Sequence, residues 1–155
     1  MDADVRIMTL KPFRAAVANA YGPSPEPEAI EEIFEYASKN GLLKPGVRFF
    51  GDNNPYPSAG TPDYGYDMYM TVGPEAQPEG KIEMRDFPGG LYAVMHCEGD
   101  PSMLFATWQE LVAWVKKSKY DLVTDQCLEE HLYEDVVSSG STKLAGFDLY
   151  LRIRA

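Results

Sequence analysis

The sequence is most restrictive in what it lacks. Its two cysteines, Cys97 and Cys127, are too few for a disulfide framework. They do not combine with the two histidines into a zinc-type spacing. Adjacent His96 and Cys97 point to opposite faces of a strand, and Cys127 and His131 are separated along a strand at about 3.3 Å per residue. No metal and no cofactor is expected. Gly-x-Ser-x-Gly and glycine-rich phosphate loops are missing, and neither cysteine has an evident base partner, so nucleophilic catalysis has little to build on. No apolar run approaches membrane length. The acidic start Met1-Asp2-Ala3-Asp4 is no signal peptide, so a cytoplasmic protein without membrane association is expected. Basic residues are scarce, 14 Lys and Arg against 24 Asp and Glu, for a formal charge of −10. Direct nucleic-acid binding needs a basic face to displace counterions, so it is not expected. An acidic chain favours cationic small ligands and basic partners, although a solvated acidic surface accounts for the charge equally well.

What the chain does have is a pattern stated twice. Tyr64-Gly65-Tyr66-Asp67-Met68-Tyr69-Met70-Thr71-Val72 returns as Ala145-Gly146-Phe147-Asp148-Leu149-Tyr150-Leu151-Arg152-Ile153. Upstream, Ala16-Val17 with Gly22 matches Ala93-Val94 with Gly99, Ser24-Pro25 matches Asp100-Pro101, and Glu32 to Tyr36 matches Glu110 to Trp114. The order and spacing hold across four segments, which implies duplication. The 155 residues suit one domain in which two repeats, about 4–73 and about 80–155, share a core. The seam between them is the natural place for a shared site.

Val5 to Tyr21 reads as a long strand broken at Lys11-Pro12, where proline removes a ladder donor. Ser24 is placed as an N-cap with Pro25 in the first turn, and Ile30, Ile33, Phe34 and Ala37 form one helical stripe that stops at Asn40-Gly41. Val47 to Gly51 is a short strand, 52–63 a loop, Tyr64 to Val72 a strand, and Gly73 to Gly80 a linker. The second copy repeats the order. Ile82 to Cys97 breaks at Pro88-Gly89-Gly90, and Asp100 caps a helix whose Leu104, Trp108, Leu111 and Val115 share a face. Gln126 to Tyr133 is a short strand, Glu134 to Thr142 a loop, and Ala145 to Arg154 the last strand. The predicted class is α+β, built from duplicated strand-helix-strand-strand modules.

Alternation turns Phe147, Leu149, Leu151 and Ile153 toward the helix, and Asp148, Tyr150 and Arg152 away from it. Asp67, Tyr69 and Thr71 follow the same rule. In the penultimate strand Leu128 and Leu132 are assigned to the helix side, and Glu129, His131 and Tyr133 to the opposite one.

These segments resemble the GyrI-like effector-binding domain, which also serves as the ligand-binding module of AraC-type and MerR-type multidrug regulators. The pieces are Leu10-Lys11-Pro12-Phe13, Tyr64-Gly65-Tyr66-Asp67, Pro88-Gly89-Gly90-Leu91-Tyr92-Ala93-Val94, Trp108 with Leu111 and Trp114, Leu128-Glu129-Glu130-His131-Leu132, and Asp148 to Ile153. The resemblance implies a pseudo-two-fold pair of modules with a central groove for hydrophobic, often cationic, aromatic molecules. It places a groove glutamate at Glu129. With no DNA-binding domain in the sequence, the chain looks like the stand-alone branch, whose members sequester drugs, inhibit gyrase or hydrolyse substrates.

The residues alone leave more room. Glu129 reads first as a solvated carboxylate or one bonded to Arg152 or Tyr150, and the resemblance moves it into the groove. There a cation would offset its desolvation, with flanking rings adding roughly 0.5–2 kcal/mol each. Tyr69 and Tyr150, with Asp67 and Asp148, line a groove symmetrically or form a structural hydrogen-bond pair, and both readings stay open. Tyr92 is either re-aimed into the groove by the preceding glycines or packed across strands. Phe105 and Trp108, in the first turns of the second helix, lie near the seam, whereas Trp114 is assigned to the core. The expected ligand set is therefore Glu129, His131, Tyr150, Asp148, Tyr69, Tyr92, Phe105 and Trp108. The leading expectation is non-enzymatic binding of a hydrophobic, cationic aromatic molecule for sensing or sequestration. A second is a hydrolase of strained electrophilic natural products, with Glu129 as base and Tyr92 or Tyr150 donating to the substrate. A third is an acidic inhibitor of a protein partner such as gyrase, to which no motif points.

Overall fold

The computed structural model describes residues 4–55, 58, 60–98 and 101–155, apart from the side chains of Pro101, Thr124, Asp125 and Gln126. Among the described residues eight strands form a single antiparallel sheet. In chain order the elements are β1 (Val5–Leu10), β2 (Phe13–Gly22), α1 (Glu26–Lys39), β3 (Phe49–Asn53), β4 (Tyr64–Val72), β5 (Glu83–Phe87), β6 (Gly90–Glu98), α2 (Leu104–Lys117), β7 (Asp121–Tyr133), α3 (Val136–Ser139) and β8 (Leu144–Arg154), with one 3-10 turn before α2. Across the sheet the order is β1-β6-β8-β7-β3-β4-β2-β5. Exchanging β1–β4 for β5–β8 turns that order into its own reverse, so the sequence repeat is also a repeat of connectivity.

The two broken strands are what join the copies. After the Lys11-Pro12 interruption the chain changes neighbours: β1 pairs with β6 of the second copy, whereas β2 pairs with β4 and β5. The breaks cross where Gly89, at φ 78°, comes so close to the Leu10 carbonyl that a Cβ would collide with it. Only glycine fits both the angle and the approach. Each copy also lends an arginine to the other's repeated aspartate. Arg6 of the first reaches Asp148 at 3.1 Å, and Arg85 of the second reaches Asp67 at 3.2 Å.

Helices α1 and α2 lie on one face of the sheet. Ile33, Phe34 and Ala37 of α1 pack on Phe49, Met68 and Met70, while Leu111 and Val115 of α2 pack on Leu149, Leu151 and Ile153. Fully burying each of the larger side chains among these is worth roughly 1.5–3 kcal/mol. The opposite face is also a core. Leu10, Val17, Phe50, Tyr69, Phe87, Tyr92, Val94, Leu128 and Tyr150 pack there, with Phe13 stacked between Phe50 and Phe87.

Several boundaries differ from the sequence expectation. Ser24 does not cap α1: Pro25 occupies the N-cap position and no side chain bonds there. The third strand runs two residues later than the Val47 to Gly51 predicted, and β7 extends back to Asp121 through an irregularity between Leu122 and Cys127. The 134–142 loop contains the single turn α3. The proposed cap Asp100 lies outside the described residues.

Candidate functional site

The faces of β7 are the reverse of those expected, and this decides where the site lies. Glu129 stands opposite Gly51 on one side and Leu149 on the other, and His131 opposite Phe49 and Phe147. Directly opposed residues share a face, so Glu129, His131 and Tyr133 point toward the helices. Leu128, opposite Tyr150, belongs to the other core. The expectation failed because it took the helix side as the only apolar side.

Between α2 and the sheet, at the seam of the copies, lies a cavity of about 490 Å³. Its walls include Phe105, Trp108 and Val112 from α2 and Leu151 from β8, with Gly51 and Glu129 at the sheet. Phe105 and Trp108 are one turn apart, so the helix presents both rings to the same space. Glu129 is half-buried and is held from two sides. Tyr66 donates to Oε1 at 2.8 Å, and the Trp108 indole N–H lies 3.4 Å from Oε2. The first is a good hydrogen bond and the second a long one. Burial raises the Glu129 pKa above the ordinary carboxylate value of 4.5, the two donors oppose that rise, and the negative charge of Glu26 adds to it. Glu26, at the start of α1, itself accepts from the Tyr64 hydroxyl at 2.7 Å and 2.8 Å.

Behind Glu129 runs a buried polar chain. The Tyr66 hydroxyl is 2.8 Å from His131 Nε2, and the Tyr133 hydroxyl is 3.2 Å from Nδ1. Burial lowers the His131 pKa from 6.5 to about 4, which keeps the ring neutral at neutral pH. Tyr66 has one proton and donates it to Glu129. Nε2 must then donate to the Tyr66 oxygen, and Nδ1 accepts from Tyr133. Every polar atom of the chain is satisfied in this arrangement. Two neighbours make it possible: Tyr66 is 1% exposed, and Gly51 carries no Cβ in the volume its ring occupies.

The structure divides the expected ligand set. Glu129, Phe105 and Trp108 line one cavity. His131 does not line it and instead sits behind Tyr66. Tyr69, Tyr92, Asp148 and Tyr150 lie on the other face of the sheet. Tyr92 is fully buried there, edge-on to Tyr150, and the Tyr150 hydroxyl donates to Glu130 at 2.7 Å. Glu129 is bonded by Tyr66 and Trp108, and Tyr150 bonds Glu130 instead. Asp67 binds Asn19, Asn54 and Arg85, and Asp148 binds Arg6 and His96, so the repeated aspartates tie the copies together. Nothing in the sequence pattern singles out Tyr66 or Gly51 as site residues. Tyr66 alternates with Met68 and Met70 and reads as core packing, and its need for a hydroxyl partner was the available clue.

An apolar, ring-walled cavity at a domain seam, with one convergent carboxylate, is the architecture of a small-molecule-binding protein. The chain belongs to the GyrI-like small molecule binding domain family, whose model matches residues 3–154. No curated protein matches the sequence. Among solved structures it is similar to the EcmrR C-terminal domain, at 13% identity and a TM-score of 0.74, covering 99% of both chains. It spans 57% of the EcmrR chain in that protein's complex with DNA. It is also similar to a hydrolase from Listeria innocua (12% identity, TM-score 0.64, 99% and 93% covered). A further similarity is to SAV2435 bound to tetraphenylphosphonium (11%, 0.54, 98% and 94%). At such identities the likeness is one of fold. No helix among the described residues is long and apolar enough to cross a membrane.

Proposed function

We propose that this protein binds hydrophobic aromatic cations in the cavity between α2 and the sheet, without chemical turnover, as a sensor or sequestering protein. The observation that carries the reading is the Glu129 carboxylate, half-buried in a cavity walled by Trp108 and Phe105. A carboxylate in that setting is incompletely solvated, and an organic cation supplies both the missing charge and apolar area. The indole and phenyl rings add cation–π attraction, roughly 0.5–2 kcal/mol each. The tetraphenylphosphonium bound by SAV2435 is a ligand of this chemical class. The test is calorimetric titration of the protein and its Glu129→Gln variant with tetraphenylphosphonium and with neutral triphenylphosphine oxide. The cation is expected to lose roughly tenfold or more in affinity, the worth of a charged contact, and the neutral ligand little. Equal losses for the two ligands would sink the ion-pairing role.

A hydrolytic reading is favoured by one feature, the Tyr133–His131–Tyr66–Glu129 chain. Its hydrogen bonds run toward Glu129, and the Tyr66 donor favours the ionised carboxylate that a general base needs. Tyr92 and Tyr150 cannot donate to a substrate beside Glu129 from the opposite face, so in this reading Glu129 acts without them. Mass spectrometry of an electrophilic ligand after incubation separates the two: unaltered ligand supports binding, and hydrolysed ligand with intact protein supports turnover.

A further inference from the structure

Strand β7 sends consecutive carboxylates through opposite faces of the sheet, and their fates differ. Glu129 keeps only neutral donors. Glu130, on the face without helices, is neutralised by Arg48, whose Nε and Nη2 lie 2.8 Å and 2.9 Å from its two oxygens. Nη2 also reaches the Tyr150 hydroxyl at 2.8 Å. Beside this pair is a second cavity of about 380 Å³, lined by Lys11, Phe13, Arg48, Phe50, Thr71 and Tyr150 among others. That volume lies within the roughly 300–1,000 Å³ typical of small-ligand sites.

Three side chains of this cavity have donors left over. Arg48 Nη1 has no partner among the described residues, while the other guanidinium nitrogens are used. The Thr71 oxygen accepts from the Arg48 backbone N–H at 2.9 Å, which leaves its own proton to give. Lys11 is exposed and makes no ion pair among the described residues. Glu130 is 6% exposed and its oxygens are occupied. The aromatic component is also in place: the Arg48 guanidinium lies 5.0 Å from the Phe50 ring centroid, and Phe13 stacks on Phe50. A guanidinium fixed against one ring presents its second face and free N–H groups to a flat, anionic partner.

We propose that this cavity is a second binding site, opposite in charge preference to the first, which takes a carboxylate on a flat apolar body. Arg48 Nη1, Lys11 and the Thr71 hydroxyl hold the carboxylate, and Phe13 and Phe50 pack on the body. The two sites are back to back across one layer of sheet. Gly51 and Glu129 face one of them, and Phe50 and Glu130 face the other.

The probes are 2-naphthoate and its neutral analogue 2-naphthamide, followed by amide chemical shifts of the full chain. Naphthoate is expected to bind about tenfold tighter than the amide, with shifts centred on Phe13, Arg48 and Thr71. Lys11→Glu, at an exposed position, is expected to weaken naphthoate about tenfold. Arg48→Met alone would leave Glu130 buried and unpaired, so the informative variant is Arg48→Met with Glu130→Gln, which is expected to lose the preference for the anion. Glu129→Gln and saturating tetraphenylphosphonium are expected to leave the naphthoate titration unchanged. Equal affinity for the two probes, an unaffected Lys11→Glu variant, shifts centred on Val112 and Leu151, or displacement by tetraphenylphosphonium would each overturn the proposal. A protein that ignores tetraphenylphosphonium but takes naphthoate supports this site and counts against the first.

Discussion

Gly51 faces Glu129 across the β3–β7 pair, and the side chain it lacks is the space through which Tyr66 reaches that carboxylate. A Cβ at position 51 would run into the Tyr66 ring and hydroxyl. Gly51 is not in the left-handed region, so its role is spatial. Gly51→Ala is expected to push Tyr66 off its bond to Glu129 and to cost about 1–3 kcal/mol of stability as an overpacked core. Thermal unfolding reads the cost, and tetraphenylphosphonium titration reads the site. An alanine variant with unchanged stability and unchanged affinity would show that the Tyr66 contact has no part in either.

His131 makes the same chain sensitive to pH in folding. In the folded protein it titrates at about 4 against an ordinary 6.5, because burial disfavours the charged ring. Between those values the unfolded chain binds the proton and the folded chain does not. Stability is therefore expected to fall as pH drops from 6.5 toward 4, by on the order of 3 kcal/mol from this residue. Glu129 acts with the opposite sign. Its pKa is raised on folding, so the folded state takes that proton first, and falling pH relieves it. Urea unfolding at pH 7 and pH 4.5 checks both. His131→Gln should flatten the pH dependence and Glu129→Gln should steepen it. Parallel losses in wild type and His131→Gln would refute the histidine's part.

Much of the architecture is legible in the sequence because it is carried by local chemistry. Pro12 and Gly89-Gly90 mark the strand breaks, the stripe Ile30, Ile33, Phe34, Ala37 marks α1, and the echo of Tyr64 to Val72 in Ala145 to Ile153 marks β4 and β8 as counterparts. Glu129, Phe105 and Trp108 are legible as site residues only through their family resemblance and their place near the seam. What stayed hidden depends on long-range register. Whether β7 points Leu128 or Glu129 at the helices follows from its pairing with Gly51 and Leu149, and no pattern within β7 contains that. Alternation finds two faces but cannot rank them when both are apolar cores. Sequence reasoning therefore groups Tyr150 and Tyr92 with Glu129, although a sheet separates them. Tyr66 was hidden for the converse reason, because a tyrosine among methionines satisfies the core pattern whatever its hydroxyl does.

Phe105 gives a direct separation of binding from folding. It is 73% exposed while its neighbours on the sheet side of α2, Leu111 and Val115, are fully buried. A phenyl ring left that open contributes little to stability, so Phe105→Ala is expected to change unfolding by less than about 0.5 kcal/mol. Its cost should appear in the cavity it lines, where ring area and cation–π attraction together are worth about tenfold in tetraphenylphosphonium affinity. Trp108 is a different case because it is partly buried and its indole N–H faces Glu129 at 3.4 Å. Trp108→Phe keeps the ring and removes that donor, which frees the carboxylate of one stabilising contact. The Glu129 pKa should then rise further, and cation binding should be lost at a higher pH than in wild type. Comparing the pH dependence of tetraphenylphosphonium binding in the two variants distinguishes the roles: Phe105→Ala should lower affinity at every pH without moving the profile, and Trp108→Phe should move it. If both variants only lower affinity uniformly, Trp108 is a wall of the cavity and does not tune Glu129.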